Sequence, residues 1–163
     1  MSLNKDVEVL RKIPLFAKLE PAKLKLLAFT SERLEYQAGD ELFAEGDIGD
    51  AAYIVLKGHA DIVVRTPNGP VTVAKVGPGE IVGEIAILCD VPRTASVVAH
   101  DDLAVLRIAK ENFFKMLTQF PQMSIEIMNE LAMRLYHTTQ NLTSVKNELA
   151  DLQRLHGGEG GRA

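Results

Sequence analysis

The chain has 163 residues, 47% of them hydrophobic and 25% charged, with a formal net charge of −4. That is enough apolar material for one packed domain plus an appended helix, and the acidic balance weighs against a nucleic-acid surface, whose affinity would rest on clustered Lys and Arg. A single cysteine, Cys89, excludes an intrachain disulfide and any cysteine-rich metal cluster.

No apolar run reaches the length of a membrane span, and no secretory signal opens the chain. The expectation is a cytoplasmic protein with no membrane partner.

Residues 4 to 30 read as helical. Val7, Leu10 and Ile13, then Leu24, Leu27 and Phe29, recur at roughly helical spacing. Pro14 and Pro21 break the run, and Pro21 also suits the first position of a new helix. No catalytic group stands out here.

From Arg33 the pattern changes to short apolar runs between turn signals. The turns are Gly39-Asp40, Glu45-Gly46-Asp47, Lys57-Gly58, Pro67 to Pro70 and Gly77-Pro78-Gly79. The runs are Leu42 to Ala44, Ala52 to Val55, Ile62 to Val64 and Val71 to Val73, followed by Ser96 to Ala99 and Leu103 to Ile108. Six or more short strands at such spacing predict a sandwich or a barrel.

One stretch between these strands, Gly79 to Val97, carries chemistry. Gly83 lets backbone approach a ligand closely. Glu84 to Leu88 can form one helical turn, whose free N–H groups favour an anion. Arg93 offers a planar fork of donors suited to a phosphate. Glu84 can accept hydrogen bonds from a sugar hydroxyl. Anion site, sugar acceptor and phosphate clamp together describe a nucleotide pocket; a plain surface loop is the alternative that residue types alone leave open. Cys89 lies inside this stretch and reads as a small apolar residue.

Gly83-Glu84-Ile85-Ala86, five intervening residues and Pro92-Arg93-Thr94-Ala95 resemble the phosphate-binding cassette of cyclic nucleotide-binding domains. Gly39 to Phe43, Gly46-Asp47, Asp50, Tyr53 and Gly58 resemble the strand-and-turn pattern of the same domain's jelly roll. The resemblance implies a double-stranded β-helix, mainly β with flanking helices, closing over the cassette. It implies that Glu84 holds the ribose 2′-hydroxyl. It implies that Arg93, with the helical-turn amides at Glu84, Ile85 and Ala86, holds the cyclic phosphate, with Gly83 opening the turn and Thr94 and Ala95 beside the arginine. Only Arg93 in the cassette supplies a full positive charge, so the expectation is that it serves the phosphate and does little for the fold. A structural bridge from Arg93 to an acid such as Asp90 is the rival.

After Ala109 the pattern is helical. Lys110 to Phe120 forms one helix with Phe113, Phe114 and Leu117 on its apolar side, and Pro121 ends it or starts the next. Met128, Leu131, Leu135, Thr138, Leu142, Val145, Leu149 and Leu152 then repeat at alternating steps of three and four. This heptad seam predicts a long helix over residues 125–155, reaching roughly 40 Å at about 1.5 Å per residue. It is too long to bury its stripe on one small domain, so a homodimer is expected. The resulting organisation is a roll with N-terminal helices over residues 1–124, a dimerisation helix over 125–155 and a flexible Gly-rich tail over 156–163.

Arg134 to Thr139 also resembles the dimer helix of catabolite-activator-type regulators. In those proteins two adjacent hydroxyl residues meet the purine, one from each subunit, which implies that role for Thr138 and Thr139. Those regulators follow the helix with a hinge and a helix-turn-helix domain. No hinge signal appears here, so DNA binding does not carry over with the resemblance.

Other chemistries find less support. His59, His100, His137 and His156 show no zinc-ligand spacing. Ser96 lacks a nucleophile-elbow context, and no Walker or kinase motif occurs. Glu80 and Glu84 stand four apart, but nothing beside them suggests acid–base work.

The expected protein is therefore a sensor without enzymatic activity. It would bind cAMP in preference to cGMP, need no cofactor and act on an effector protein through its long helix. A sensor domain belonging to a longer transcription factor or channel, and a nucleotide-processing enzyme, are the alternatives.

Overall fold

A computed structural model describes residues 3–159. It divides into two compact units, Met1–Ser124 and Ile125–Ala163. The first begins with helices α1 (Leu3–Arg11) and α2 (Pro21–Thr30). Between them, residues 12–19 form successive turns rather than helix, as the proline at position 14 requires.

Eight strands follow: β1 (Glu32–Tyr36), β2 (Glu41–Phe43), β3 (Ala51–Lys57), β4 (Ala60–Thr66), β5 (Gly69–Val76), β6 (Ile81–Val82), β7 (Ser96–Ala99) and β8 (Leu103–Ala109). One short helix, α3 (Glu84–Leu88), interrupts them between β6 and β7. The strands form two four-stranded antiparallel sheets, in the orders β1-β8-β3-β6 and β2-β7-β4-β5. This is the expected jelly roll.

Alternation along each strand sets what fills it. Ala51, Tyr53 and Val55 of β3 meet Val97 and Ala99 of β7 and Leu103 and Val105 of β8 in one buried cluster. The intervening residues of β3, Ala52 and Ile54, are equally buried, because α3 and α4 (Lys110–Gln119) lie against this strand. β3 is thus apolar on both faces. That makes it a fixed rail for whatever its backbone holds.

Two polar clips close one end of the roll. The His59 backbone amide donates to Asp101 Oδ1 at 2.7 Å, and His59 Nδ1 lies 2.9 Å from Asp101 Oδ2. His100 Nδ1 lies 3.0 Å from Asp61 Oδ2. The side-chain bond from His59, then the backbone bond, hold the Asp101 carboxyl below the ordinary aspartate value. A carboxyl depressed in the folded state adds stability above its unfolded pKa and loses it as pH falls through the folded one. Asp101→Asn should therefore lower the melting temperature at neutral pH and flatten its decline in acid. Thermal melts across a pH series check this; parallel curves for variant and parent would contradict it.

The last helix, α5, runs Pro121–Glu159. It starts before position 125 and takes in positions 156 to 159, where a flexible tail is the reading of the sequence. Elongating an existing helix costs little per residue, so the glycine at position 157 does not end it. Residues 160–163 lie outside the described part. Along the second unit, Met128, Leu135, Leu142, Val145, Leu149 and Leu152 are all more than half exposed. No helix among the described residues is long and apolar enough to cross a membrane.

Candidate functional site

The segment from Gly83 to Ala95 leaves the sheet, makes one helical turn and returns. Gly83 caps α3 in the left-handed region, at φ 82°. That angle favours glycine, and space demands it as well. A Cβ at position 83 would stand 2.7 Å from Arg93 Nη1 and 3.3 Å from the Ala51 carbonyl oxygen. Glu84 and Ala86 point inward and are buried, while Ile85 is half exposed. Cys89 caps the turn and is an exposed free thiol.

Arg93 is the centre of the arrangement. The residue is only 3% exposed, although it carries a charge. Nη1 donates to the Gly83 carbonyl at 2.6 Å, and Nη2 donates to the Ala51 carbonyl of β3 at 2.7 Å. The guanidinium carbon sits 4.0 Å from the centre of the Phe43 ring, a cation–π distance. Phe43 in turn leans on Tyr53, with ring centres 5.7 Å apart. The Arg93 backbone is pinned too. Its amide donates to the Asp47 carbonyl, and its carbonyl accepts from the Gly46 amide, both at 2.8 Å. The Glu45-Gly46-Asp47 turn thus holds the return limb of the cassette.

These contacts correct the expectation that Arg93 does little for the fold. The buried Ala51 carbonyl and the part-buried Gly83 carbonyl depend on it, and it bridges α3 to β3. Asp90, the expected rival partner, lies instead 4.0 Å from Lys110. Burial pulls the Arg93 guanidinium below its ordinary pKa, while Tyr53, Asp50, Glu84 and Asp47 push the other way. A guanidinium has more N–H donors than these two bonds consume, and Nε has no partner among the described residues. A preorganised, desolvated cation with spare donors is suited to an anion, which would relieve the cost of its burial.

Of the remaining expected residues, Ala95 is buried beside β7, and Thr94 is exposed next to Arg93. Gly83, Glu84, Ile85, Ala86, Arg93, Thr94 and Ala95 therefore belong to one continuous feature. Thr138 and Thr139 lie on α5 in the second unit, both exposed, with the Thr139 carbonyl accepting from Thr143 Oγ1 at 3.0 Å.

Sequence reading misses Gly49. A Cβ there would meet the Ala86 Cβ at 2.7 Å and Arg93 Cζ at 3.3 Å. Its neighbour positions read as an ordinary turn, so nothing local marks it. The Ala51 carbonyl is equally silent, since a backbone acceptor carries no residue-type signal. Gly49→Leu should displace the Arg93 guanidinium and weaken anion binding without removing any donor. Isothermal titration against cAMP checks this, and unchanged affinity in the folded variant would contradict it.

A separate cleft of about 590 Å³, lined by Arg33, Tyr36, Asp40, Lys57 and Asp102 among others, shares no residue with this segment.

Comparison with known proteins gives a consistent result. The family described as Cyclic nucleotide-binding domain matches residues 33–120. A cAMP-dependent protein kinase regulatory subunit from Aspergillus niger is 37% identical over 108 residues, covering 66% of this chain and 26% of the relative. A CRP-like cAMP-activated global transcriptional regulator from Mycobacterium tuberculosis is 27% identical over 139 residues, covering 85% of this chain and 62% of the relative. Among solved structures, the Thermus thermophilus catabolite activator protein superposes with a TM-score of 0.73 at 30% identity, over 82% of this chain and 63% of that one. The chain thus spans less than two thirds of the length of each of these relatives.

Proposed function

This chain is a member of the cyclic nucleotide-binding domain family, and from that premise we propose that it is a regulatory sensor that takes cAMP ahead of cGMP and signals through α5. The observation that carries the reading is Arg93. It is a buried, preoriented guanidinium whose Nε has no partner among the described residues, at the end of a segment that also buries Glu84. In the proposed complex Arg93 takes the cyclic phosphate together with the amides of α3, and Glu84 accepts from the ribose 2′-hydroxyl. Gly83, Ile85, Ala86, Thr94 and Ala95 shape the wall, and Thr138 and Thr139 meet the purine.

The cAMP preference is supported by the names of the fungal and mycobacterial relatives, which specify cAMP for those proteins. Thr94 beside the clamp would favour the 2-amino group of guanine, whereas Thr138 could meet the adenine amino group. Competitive titration decides between the bases. cGMP binding about tenfold or more tightly than cAMP, roughly 1.4 kcal/mol, would reverse the preference.

Binding without turnover is part of the proposal, since the matched relatives are named as regulators. Incubation with cAMP should leave it intact; accumulating AMP would favour the enzyme reading. Organisation as 1–124, 125–155 and 156–163, with self-association through the long helix, completes the proposal. A ligand that bridges the roll and the helix would shift α5 between two positions by its differential affinity for them. The partial coverage of the relatives also supports a second reading, a sensor domain within a longer protein. The length of the natural reading frame tests it. Mass spectrometry of any small molecule released when the purified protein is denatured tests the ligand class: a cyclic nucleotide supports the proposal, and a different bound ligand at stoichiometric level would contradict it.

A further inference from the structure

Helix α2 is apolar on more than its buried side. Leu24, Leu27 and Ala28 face the interior, yet Leu26 and Phe29 on the outer arc are 49% and 77% exposed. An exposed apolar arc on a helix marks a surface that another element covers. Beside it lies a groove of about 240 Å³ between α2 and α4, lined by Leu26, Thr30, Asn112, Lys115, Met116 and Phe120 among others. Its walls are tied together, because Asn112 Nδ2 donates to the Thr30 carbonyl at 3.1 Å. The groove is therefore preformed.

Its charge is opposite to that of the whole chain. Lys115 lines it, and Lys23 stands over the Phe120 ring at 5.2 Å. Lys25 flanks Phe29 one helical turn away along α2. Among the described residues none that lines the groove is acidic, and α2 contains none, the acids nearest in sequence being Glu20 before α2 and Glu111 in the first turn of α4. The chain as a whole carries −4. A basic rim around an apolar slot in an acidic protein selects its occupant by charge.

We infer that the α2–α4 groove is the docking site for the effector: an amphipathic helix that lays apolar side chains over Leu26 and Phe29 and sets acidic residues against Lys23, Lys25 and Lys115. The inference rests on the reading of the chain as a sensor that acts on a partner protein. The groove ends at Phe120, the residue before α5, so its occupant sits at the root of the proposed signalling helix.

The test uses the full chain and a fluorescein-labelled synthetic helical peptide with leucines on one face and glutamates elsewhere. A second peptide carries lysine in place of every glutamate. By fluorescence anisotropy at low salt, the acidic peptide should bind at least about tenfold more tightly than the basic one. Lys23→Glu with Lys115→Glu should reverse that order. Leu26→Asp, at an exposed position, should weaken binding of the acidic peptide about tenfold or more while leaving the melting temperature and cAMP affinity unchanged. Equal binding of both peptides, no binding of the acidic one, or binding indifferent to Leu26→Asp would overturn the inference. So would sedimentation showing that Leu26→Asp disrupts self-association, or the parent binding phosphatidylglycerol vesicles through Leu26 while not binding the acidic peptide. Because cAMP titration is run on the same samples, retained nucleotide binding with failed peptide binding overturns the groove alone and leaves the sensor reading intact.

Discussion

Arg93→Ala should weaken cAMP binding by roughly tenfold to a few hundredfold, as expected for hydrogen bonds to a charged group worth about 1.5–3 kcal/mol. The same change should also lower the melting temperature of the nucleotide-free protein. Removing the guanidinium leaves the buried Ala51 carbonyl and the part-buried Gly83 carbonyl without the donors that now reach them at 2.7 and 2.6 Å. Each unsatisfied buried acceptor costs about 1–3 kcal/mol. It also strips one face of the Phe43 ring. The two effects separate with Arg93→Lys. Lysine keeps the charge but presents a point donor, so it cannot hold both carbonyls in one plane. Partial recovery of binding without recovery of stability would follow. Glu84→Gln should lower affinity for cAMP and leave affinity for its 2′-deoxy analogue nearly unchanged, since that analogue already lacks the hydroxyl partner. If Arg93→Ala binds cAMP as well as the parent does, the phosphate assignment falls, and the residue is structural only.

Leu142→Asp should convert a self-associated protein into monomers at micromolar concentration. Leu142 lies mid-seam on α5, 54% exposed within the single chain, in line with Leu135, Val145, Leu149 and Leu152. A partner helix that covered this stripe would bury the new carboxylate unpaired, at a cost of roughly 3–5 kcal/mol. The seam is spaced by three and four, so two copies could interdigitate along it. Analytical ultracentrifugation of parent and variant decides the matter. A monomeric parent, or an equally associated variant, would contradict the seam as an interface. An exposed control on the same helix, Gln153→Asp, should leave association unchanged.

The fold was legible where residue types repeat. Turn glycines and β-branched runs mark most strands, and Ala109 and Pro121 bracket α4 closely. Two strands were not legible. β1, Glu-Arg-Leu-Glu-Tyr, is charged at three of its five positions and, among the described strands, pairs only with β8 at the edge of its sheet. β6 has two residues, too few for any period to show. Both exist because β8 and β3 offer them a ladder, a long-range fact that no local window contains.

The cassette was legible as chemistry, because a glycine, a carboxylate, a short turn and an arginine state their preferences by type. What holds the arginine was not. Its anchors are two carbonyls, the face of Phe43 and the space left by Gly49, and three of these four depend on register between distant segments. That is why Arg93 reads from sequence as a free clamp and stands in the structure as a tie between α3 and β3. The groove beside α2 was hidden for a similar reason: Phe29 falls into the helical pattern with Leu24 and Leu27, and only packing against α1 and α4 fixes which side of α2 is covered.

The most direct measurement is isothermal titration of the full chain with cAMP, cGMP and 5′-AMP under one buffer. The expected result is saturable binding of cAMP at a single site per chain, weaker binding of cGMP, and binding of 5′-AMP weaker by at least about tenfold, since its doubly charged, uncyclised phosphate does not fit one buried guanidinium and a short helical turn. Absence of saturable binding by either cyclic nucleotide to the folded protein, or 5′-AMP binding as tightly as cAMP, would contradict the assignment of this site.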